Sequence, residues 1–175
     1  MPARPVRRLL RIYDALILGL AVQAGIAVVL ILVLIVADVT VRELGYPSPR
    51  FTIGVVEYAL VYFTAFAAPY LVRVRGHVFI EVVIGQLEGR MRRVFEVAVY
   101  LICIIATAAF AWVSVGLFFE LANSDDIDIR GIDIPAWVIV APLPPCYLLV
   151  AVEFARFLFG SESMYAAGQS IEDSL

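Results

Sequence analysis

The chain has 175 residues, of which 63% are apolar, and its mean hydropathy is +0.96. Soluble domains contain about 45–50% apolar residues, so the composition argues against a soluble protein and leaves a soluble all-helical core as the alternative interpretation. The net charge is −3 and all thirteen basic residues are arginine, which gives no basic surface suited to nucleic acid.

Four long apolar stretches organise the sequence. Each has about 18 to 26 residues, and at about 1.5 Å per residue a helix of that length crosses a hydrocarbon core of about 30 Å. In lipid the backbone groups must pair within the segment, which favours helices. We therefore predict an all-α integral membrane protein, a single membrane domain over residues 1–175 with four transmembrane helices. The predicted spans are Ala15–Ala37, Val55–Val72, Val94–Phe119 and Trp137–Phe159.

The arginines predict the orientation of these spans. Ten lie in the N-terminal arm, between the second and third spans, or near the end of the fourth, whereas Arg42, Arg50 and Arg130 lie on the other side. Short arginine-rich segments stay cytoplasmic, so both termini are predicted to be cytoplasmic. The arm Arg4–Arg11 is predicted to be a short interfacial segment, or alternatively only a topology signal. The first stretch is too long for a cleaved signal peptide.

Polar residues are sparse in the first two spans. Gln23 is the one polar interruption of the first helix, and an amide at that depth usually finds a partner on a neighbouring helix. Pro47 and Pro49 predict a short turn after this helix. Glu57 is expected about one turn inside the second helix, where the helix dipole favours a carboxylate.

The segment between the second and third spans has a helical apolar pattern. Apolar residues recur there every four positions: Phe79, Val83, Leu87, Met91 and Phe95. Charged residues collect on other faces of the helical wheel, as in an amphipathic helix. We predict a helix over residues 76–92 that lies in the cytoplasmic headgroup region and contacts membrane lipids.

The last loop is acidic and leads into a proline-rich helix. Asp125, Asp126, Asp128 and Asp133 lie in this loop, and the alternation around Ile127 predicts a short extended or turn structure. Pro135 and Trp137 suit the start of the fourth helix, because proline fits a first helical turn and tryptophan favours the interface. Pro142, Pro144 and Pro145 each remove a backbone donor and predict a kink.

The inventory of catalytic groups is small. A lone histidine, His77, cannot supply the paired ligands of a b-type haem, and there is neither a metal-ligand cluster nor a phosphate-binding loop. No cofactor and no enzymatic activity are predicted. Of the carboxylates in or near the spans, Glu57 and Glu96 lie near helix ends, and Glu153 can pair with Arg156 at i, i+3. Cys103 and Cys146 are interpreted as small packing residues.

The densest polar group of the sequence surrounds His77. Gly76 is expected to end the second helix, and His77 and Glu81 would then lie one turn apart on the next helix. Two interpretations stay open: a cluster that starts a helix, and a functional site. The spacing itself identifies no partner.

Several motifs together resemble a known family. Glu57 lies early in the second helix. The end of this helix is basic at Arg73 and leads into the segment Arg75-Gly76-His77-Val78-Phe79-Ile80-Glu81. This order resembles the DctQ-like small membrane subunit of tripartite ATP-independent periplasmic (TRAP) transporters, in which a basic turn precedes a His-Ile-x-Val-Asp-like motif. Glu81 stands where aspartate is usual.

Further motifs extend this resemblance to most of the chain, from about Ile12 to Phe159. Arg42 matches a frequent arginine of the family, and Ile134-Pro135-Ala136-Trp137 with Leu143-Pro144 resembles its Ile-Pro-x-Trp and Leu-Pro signature. Val140 and Cys146 replace a common tyrosine and glycine.

The resemblance implies a function in solute uptake across the bacterial inner membrane. The family's large membrane subunit carries the substrate and sodium sites, and a periplasmic binding protein delivers a carboxylate. The small subunit would then be a scaffold and docking surface without a substrate site. The implied interface or structural residues are Arg42, Glu57, Arg75, His77, Glu81, Pro135, Trp137 and Pro144, and the acidic loop is the candidate surface for docking the binding protein.

The sequence is also compatible with two other classes of membrane protein. A standalone homodimeric exporter would need an essential carboxylate such as Glu57 inside the bundle, and a membrane anchor of a redox complex would show a haem spectrum. Co-purification with a large membrane partner distinguishes the transporter subunit from both.

Overall fold

The structure is a computed structural model that describes residues 4–74, 89–124, 126–128 and 134–159, with the backbone alone at residues 4–7, 9, 10, 89, 90, 92 and 128. The described elements are α1 Arg4–Glu43, α2 Phe51–Arg73, α3 Gly89–Asn123, β1 Ile127–Asp128, β2 Ile134–Pro135, α4 Ala136–Val140 and α5 Leu143–Phe159. Four helical segments are long and apolar enough to cross a membrane: Arg11–Glu43, Phe51–Arg73, Arg93–Asn123 and Ala136–Phe159. The predicted all-α class with four membrane-spanning helices is confirmed.

The helices are longer than the apolar stretches that predicted them. The arm Arg4–Arg11 is continuous with α1, and its position at the membrane interface stays a prediction. At about 1.5 Å per residue, the 40 residues of α1 extend about 60 Å, well beyond a hydrocarbon core of about 30 Å. Likewise α2 begins at Phe51 rather than Val55.

The predicted amphipathic helix over residues 76–92 falls mostly outside the described residues. Only its last four positions are described, and they form the first turn of α3 rather than the end of a separate helix. The third helix thus begins at Gly89, five residues before the predicted start at Val94.

A glycine closes α1 before the first loop. Gly45 has φ of +82°, a conformation that residues with a side chain rarely adopt. The Gly45 N–H donates to the Arg42 carbonyl at 3.0 Å, and the Tyr46 N–H donates to the Val41 carbonyl at 3.1 Å. These two bonds form a Schellman motif, which pairs the last carbonyls of the helix and turns the chain towards α2.

The helices pack side by side in the order α1, α2, α5, α3. Helix α1 packs on α2, α2 packs on α5, and α5 packs on α3, while the short α4 contacts α3 and α2. The start of α1, the end of α2, the start of α3 and the end of α5 share one end of the bundle, here called the arginine end. The opposite end, with residues 44–50 and 124–135, is the loop end. Helices α1 and α3 occupy the two sides of the row and have large exposed apolar surfaces.

Aromatic contacts join α3 to the fourth span along its length. Ring pairs form at three levels, with centroid distances of 6.4, 5.6 and 6.0 Å: Tyr100–Phe157, Phe110–Tyr147 and Phe118–Trp137. Such pairs contribute about 0.5–1.5 kcal/mol each beyond the burial of their area. Tyr100 is also part of a buried core with Val72, Val150 and Phe154, which lies near the arginine end.

The prolines of the fourth span divide it instead of only kinking it. Helix α4 ends at Val140, and α5 begins at Leu143 after a turn at Ala141 and Pro142. Pro144 and Pro145 then fall in the first turn of α5, where a helix lacks backbone partners for its N–H groups and proline is tolerated. The predicted kink is therefore an interruption, caused mainly by Pro142.

Candidate functional site

Three helices meet around one tyrosine at the arginine end. The ring of Tyr13 on α1 lies 6.0 Å from the guanidinium carbon of Arg73 on α2 and 5.4 Å from that of Arg156 on α5. A guanidinium within about 6 Å of an aromatic ring is attracted by its electron-rich face. Tyr13 therefore connects α1 with both α2 and α5.

Each of these two arginines also has a carboxylate partner. Arg73 donates to Asp14 across 59 residues of sequence, which ties α2 to α1. Arg156 donates to both oxygens of Glu153 at 3.1 and 3.3 Å. Because the Glu153 residue is only 2% exposed, Arg156 supplies the compensating charge that a buried carboxylate requires. These five residues, Tyr13, Asp14, Arg73, Glu153 and Arg156, form the arginine-end cluster.

A second buried carboxylate lies near the start of α3. Glu96 is 3% exposed and pairs with Arg93 at 3.7 Å, one turn earlier on the same helix. Both buried glutamates thus lie close to helix ends rather than in the middle of a span. The predicted pairing of Glu153 with Arg156 is confirmed, and the positions of both carboxylates fit an anchoring role.

At the loop end, a buried aspartate holds the first loop. Asp38 is 6% exposed and accepts hydrogen bonds from the guanidinium of Arg42 and the hydroxyl of Ser48. The first bond lies within α1, and the second joins the end of α1 to the turn before α2. Arg42, singled out in the sequence, therefore neutralises a helix-end carboxylate. We call Asp38, Arg42 and Ser48 the loop latch.

The acidic loop ends in a small antiparallel pair of strands. Ile127 is opposite Pro135 and Asp128 is opposite Ile134, and the Ala136 N–H donates to the Asp126 carbonyl at 3.1 Å. The extended structure predicted here is confirmed. Trp137 follows directly and packs edge-to-face on Phe118 of α3.

The break in the fourth span leaves a carbonyl that α2 satisfies. In a continuous helix the Val138 carbonyl would accept from residue 142, but that residue is proline and has no N–H. The Tyr62 hydroxyl of α2 donates to this carbonyl at 2.8 Å. An unpaired backbone carbonyl in lipid would cost several kcal/mol, so Tyr62 helps make the break compatible with a membrane.

The remaining candidate residues are dispersed. Glu57 lies on the exposed side of α2, almost two turns from its start, and Pro144 lies in the first turn of α5. Arg75, His77, Glu81, Asp125 and Asp133 lie outside the described residues, as does the side chain of Asp128. Asp126 is exposed at the loop end.

The described spans carry no charge along their central parts. Charged residues are absent from 15–37, 58–72, 97–119 and 134–152, all of which the structure describes. In the same described parts of the chain, no group of three histidine, cysteine or acidic side chains could hold a metal ion. The polar side chains that the structure brings together therefore connect helices at the two ends of the bundle.

Comparison with known proteins identifies the family of this bundle. The family described as tripartite ATP-independent periplasmic transporters, DctQ component, matches residues 31–162, a stretch that runs from the second half of α1 to beyond the end of α5. Neither a search of curated proteins nor one of solved structures gave a match. With three quarters of its length covered by the family and four helices able to span a membrane, the chain belongs to the DctQ family of TRAP transporter membrane components.

Proposed function

We propose that this chain is the small subunit that scaffolds the large transporting subunit in cation-coupled, and specifically sodium-coupled, uptake of a carboxylate solute. The observation that carries the proposal is the family match over residues 31–162. The uncharged central parts of the described spans support a role without a substrate or ion site, because transport pathways in membranes usually contain ionisable groups.

The decisive experiment is reconstitution with and without this chain. We expect the large membrane subunit to co-elute with the tagged chain, and uptake into proteoliposomes to require both together with the binding protein. Sodium and proton gradients, applied separately, identify the coupling ion. Uptake by this chain alone, or full uptake in its absence, contradicts the proposal.

The proposed topology places both termini in the cytoplasm of a bacterium, with the chain in the inner membrane. Its support is the ten-to-three distribution of arginines between the two sides. Single cysteines at Arg75 and Arg90 test it, with one at Asp126 as the opposite-side control. We expect a membrane-impermeant reagent added to whole spheroplasts to label only the control, and the reverse pattern contradicts the topology.

We further propose that the acidic loop helps dock the periplasmic binding protein. Asp126 is exposed beside the small strand pair, and clustered like charge steers the encounter with a partner of opposite charge. Changing Asp126→Arg and Asp128→Arg together should raise the half-saturating concentration of binding protein about two- to fivefold at low salt, and less at high salt.

A single-site control for this charge reversal is Glu43→Arg at the end of α1, also exposed at the loop end. It should leave the half-saturating concentration nearly unchanged. Equal transport by the double variant and the wild type at every ionic strength contradicts docking through this loop.

For Arg75, His77 and Glu81 we propose a role in assembly. The support for this proposal is the resemblance of Arg75-Gly76-His77-Val78-Phe79-Ile80-Glu81, which follows α2 in the sequence, to the family motif. His77→Ala or Glu81→Gln should lower the amount of large subunit recovered or the transport rate, while the affinity of the binding protein for its solute stays constant. If both variants show wild-type recovery of the large subunit and wild-type transport, the proposed role in assembly is wrong and the cluster serves only to start a helix.

A further inference from the structure

An open apolar groove lies between α1, α2 and the start of the fourth span. Its volume is about 560 Å³, within the range of about 300–1,000 Å³ typical of ligand sites. Its walls include Ala27 and Leu30 of α1, Ala59 and Tyr62 of α2, and Val138 of α4. The groove opens sideways along the bundle, where a membrane protein faces lipid or another protein.

Gln23 of α1 lines this groove at membrane depth, together with Tyr58 and Tyr62 of α2. Ala27 is the middle residue of the Arg11–Glu43 span. Gln23 lies four residues before it, a distance of about 6 Å along the helix axis. Its side chain is exposed, and its amide makes no hydrogen bond to any described residue of the chain. An amide without a partner in hydrocarbon is costly, so the occupant of the groove should offer a hydrogen-bonding group at this depth.

The same side of α1 allows another backbone to come close. Gly19 lies one turn before Gln23, and a Cβ added there would meet no atom within 4 Å. Ala27 lies one turn after Gln23, and Ala59 lines the facing wall. Small residues along a membrane helix permit close approach of a second helix, whereas an acyl chain gains nothing specific from them.

We propose that this groove seats one transmembrane helix of the large TRAP membrane subunit, and that a polar group of this helix bonds the Gln23 amide. The inference rests on the proposed function, because it takes the large subunit as the partner. A lipid acyl chain would fill the volume but has no donor or acceptor for Gln23. A polypeptide helix provides both a shape that fits a groove and a polar side chain at a defined depth.

Site-specific photo-crosslinking in the full complex tests the assignment. A diazirine amino acid is placed at Leu30, which lines the groove, or at Leu32, which does not. The two leucines are on the same helix at nearly the same depth, are 45% and 61% exposed, and are separated by about 200° around the helix axis. They therefore form a matched pair that differs mainly in direction.

We expect Leu30 to give a crosslink to the large subunit in several-fold higher yield than Leu32. Equal or greater yield from Leu32 overturns the assignment, as do crosslinks from Leu30 to lipid alone or to a second copy of this chain. If the wild-type chain fails to co-elute with the large subunit, the proposed function fails and this inference with it. Successful co-elution without the Leu30 crosslink overturns the inference alone.

Gln23→Met measures the hydrogen bond itself, since methionine has nearly the same shape without the amide. We expect association with the large subunit to weaken about threefold, the usual effect of one interhelical hydrogen bond in a membrane. Leu32→Met introduces the same residue on the other side of α1 and should leave the association unchanged. Equal association of Gln23→Met and wild type overturns the role of Gln23.

Discussion

The two ends of the bundle are held together in different ways. At the arginine end, Tyr13, Arg73 and Arg156 bring side chains of three helices into contact, and the Arg73–Asp14 pair joins residues 59 positions apart. At the loop end, the latch of Asp38, Arg42 and Ser48 spans at most ten positions. The arginine end therefore fixes how helices pack, whereas the latch fixes a turn.

This difference locates the part of the molecule that is open to a partner. The arginine-end cluster draws α1, α2 and α5 together, and the apolar core around Tyr100 lies at the same level. Nearer the loop end, the open groove lies between α1, α2 and the start of the fourth span. Tyr62 forms part of its wall through the hydrogen bond to the Val138 carbonyl. We infer that the arginine end, the closed end of the bundle, provides stability and that the groove is available for assembly with a partner.

The strongest test of the closed end is Arg156→Ala. It leaves the carboxylate of Glu153, a 2% exposed residue, without its compensating charge. Because a buried carboxylate left without its partner is destabilising, although the Arg156 side chain itself is 43% exposed, we expect the free energy of unfolding in detergent micelles to fall by about 2–3 kcal/mol. Unfolding by SDS, followed by tryptophan fluorescence, gives this value.

The double variant Arg156→Ala/Glu153→Gln is the control for this result. It removes the buried charge as well as its partner, so it should recover a large part of the lost free energy. If the single and double variants are equally destabilised, packing of the Arg156 side chain matters more than charge compensation.

The loop latch should respond more locally. Asp38→Ala removes the acceptor for both Arg42 and Ser48, and hydrogen bonds to a charged group contribute about 1.5–3 kcal/mol when buried. We expect faster hydrogen exchange at residues 44–50, equivalent to about 1–2 kcal/mol, and little change in α2 or α5. Ser48→Ala is the milder control. Faster exchange throughout the bundle contradicts the local character of the latch.

The sequence predicts the helices well because crossing a membrane depends on composition over about 20 residues. Helix ends depend on local pairing, which hydropathy does not report. Arg4–Arg11 is polar yet continues α1, and α2 starts four residues before the apolar stretch at Val55. The closure of α1 at Gly45 depends on one positive φ, a signal that an isolated glycine gives only weakly.

Contacts within one helix could be predicted, and contacts between helices could not. Glu153 and Arg156 are three residues apart, so helical spacing alone brings them together. The partner of Arg73 depends on how α1 and α2 align, which no local pattern in a single sequence specifies. Pro142 is an intermediate case: it shows that the Val138 carbonyl loses its backbone donor, but not that Tyr62 replaces it.

Loss of the hydrogen bond from Tyr62 to the Val138 carbonyl, at the wall of the groove, should have a smaller effect on stability. Tyr62→Phe removes the donor to the Val138 carbonyl and should lower the free energy of unfolding by about 1 kcal/mol. In a Pro142→Ala background the backbone can supply an N–H at residue 142, so the same change should cost clearly less. An SDS unfolding cycle over the four variants measures the coupling. Equal costs in both backgrounds contradict the exchange of a backbone donor for a tyrosine.

The smallest expected effect on stability is at the ion pair between Arg73 and Asp14 at the arginine end. The side chains of Arg73 and Asp14 are 25% and 49% exposed, and exposed ion pairs contribute about 0–1 kcal/mol. Asp14→Asn should therefore lower the free energy of unfolding by about 0.5 kcal/mol, and by less in high salt, since salt screens exposed charges. A double-mutant cycle with Arg73→Gln isolates the pair from the contact between Arg73 and the ring of Tyr13. A coupling energy that is large and independent of salt would mean that this pair is shielded from solvent. The closed end would then be stabilised by the connection between α1 and α2 as much as by the pair on α5.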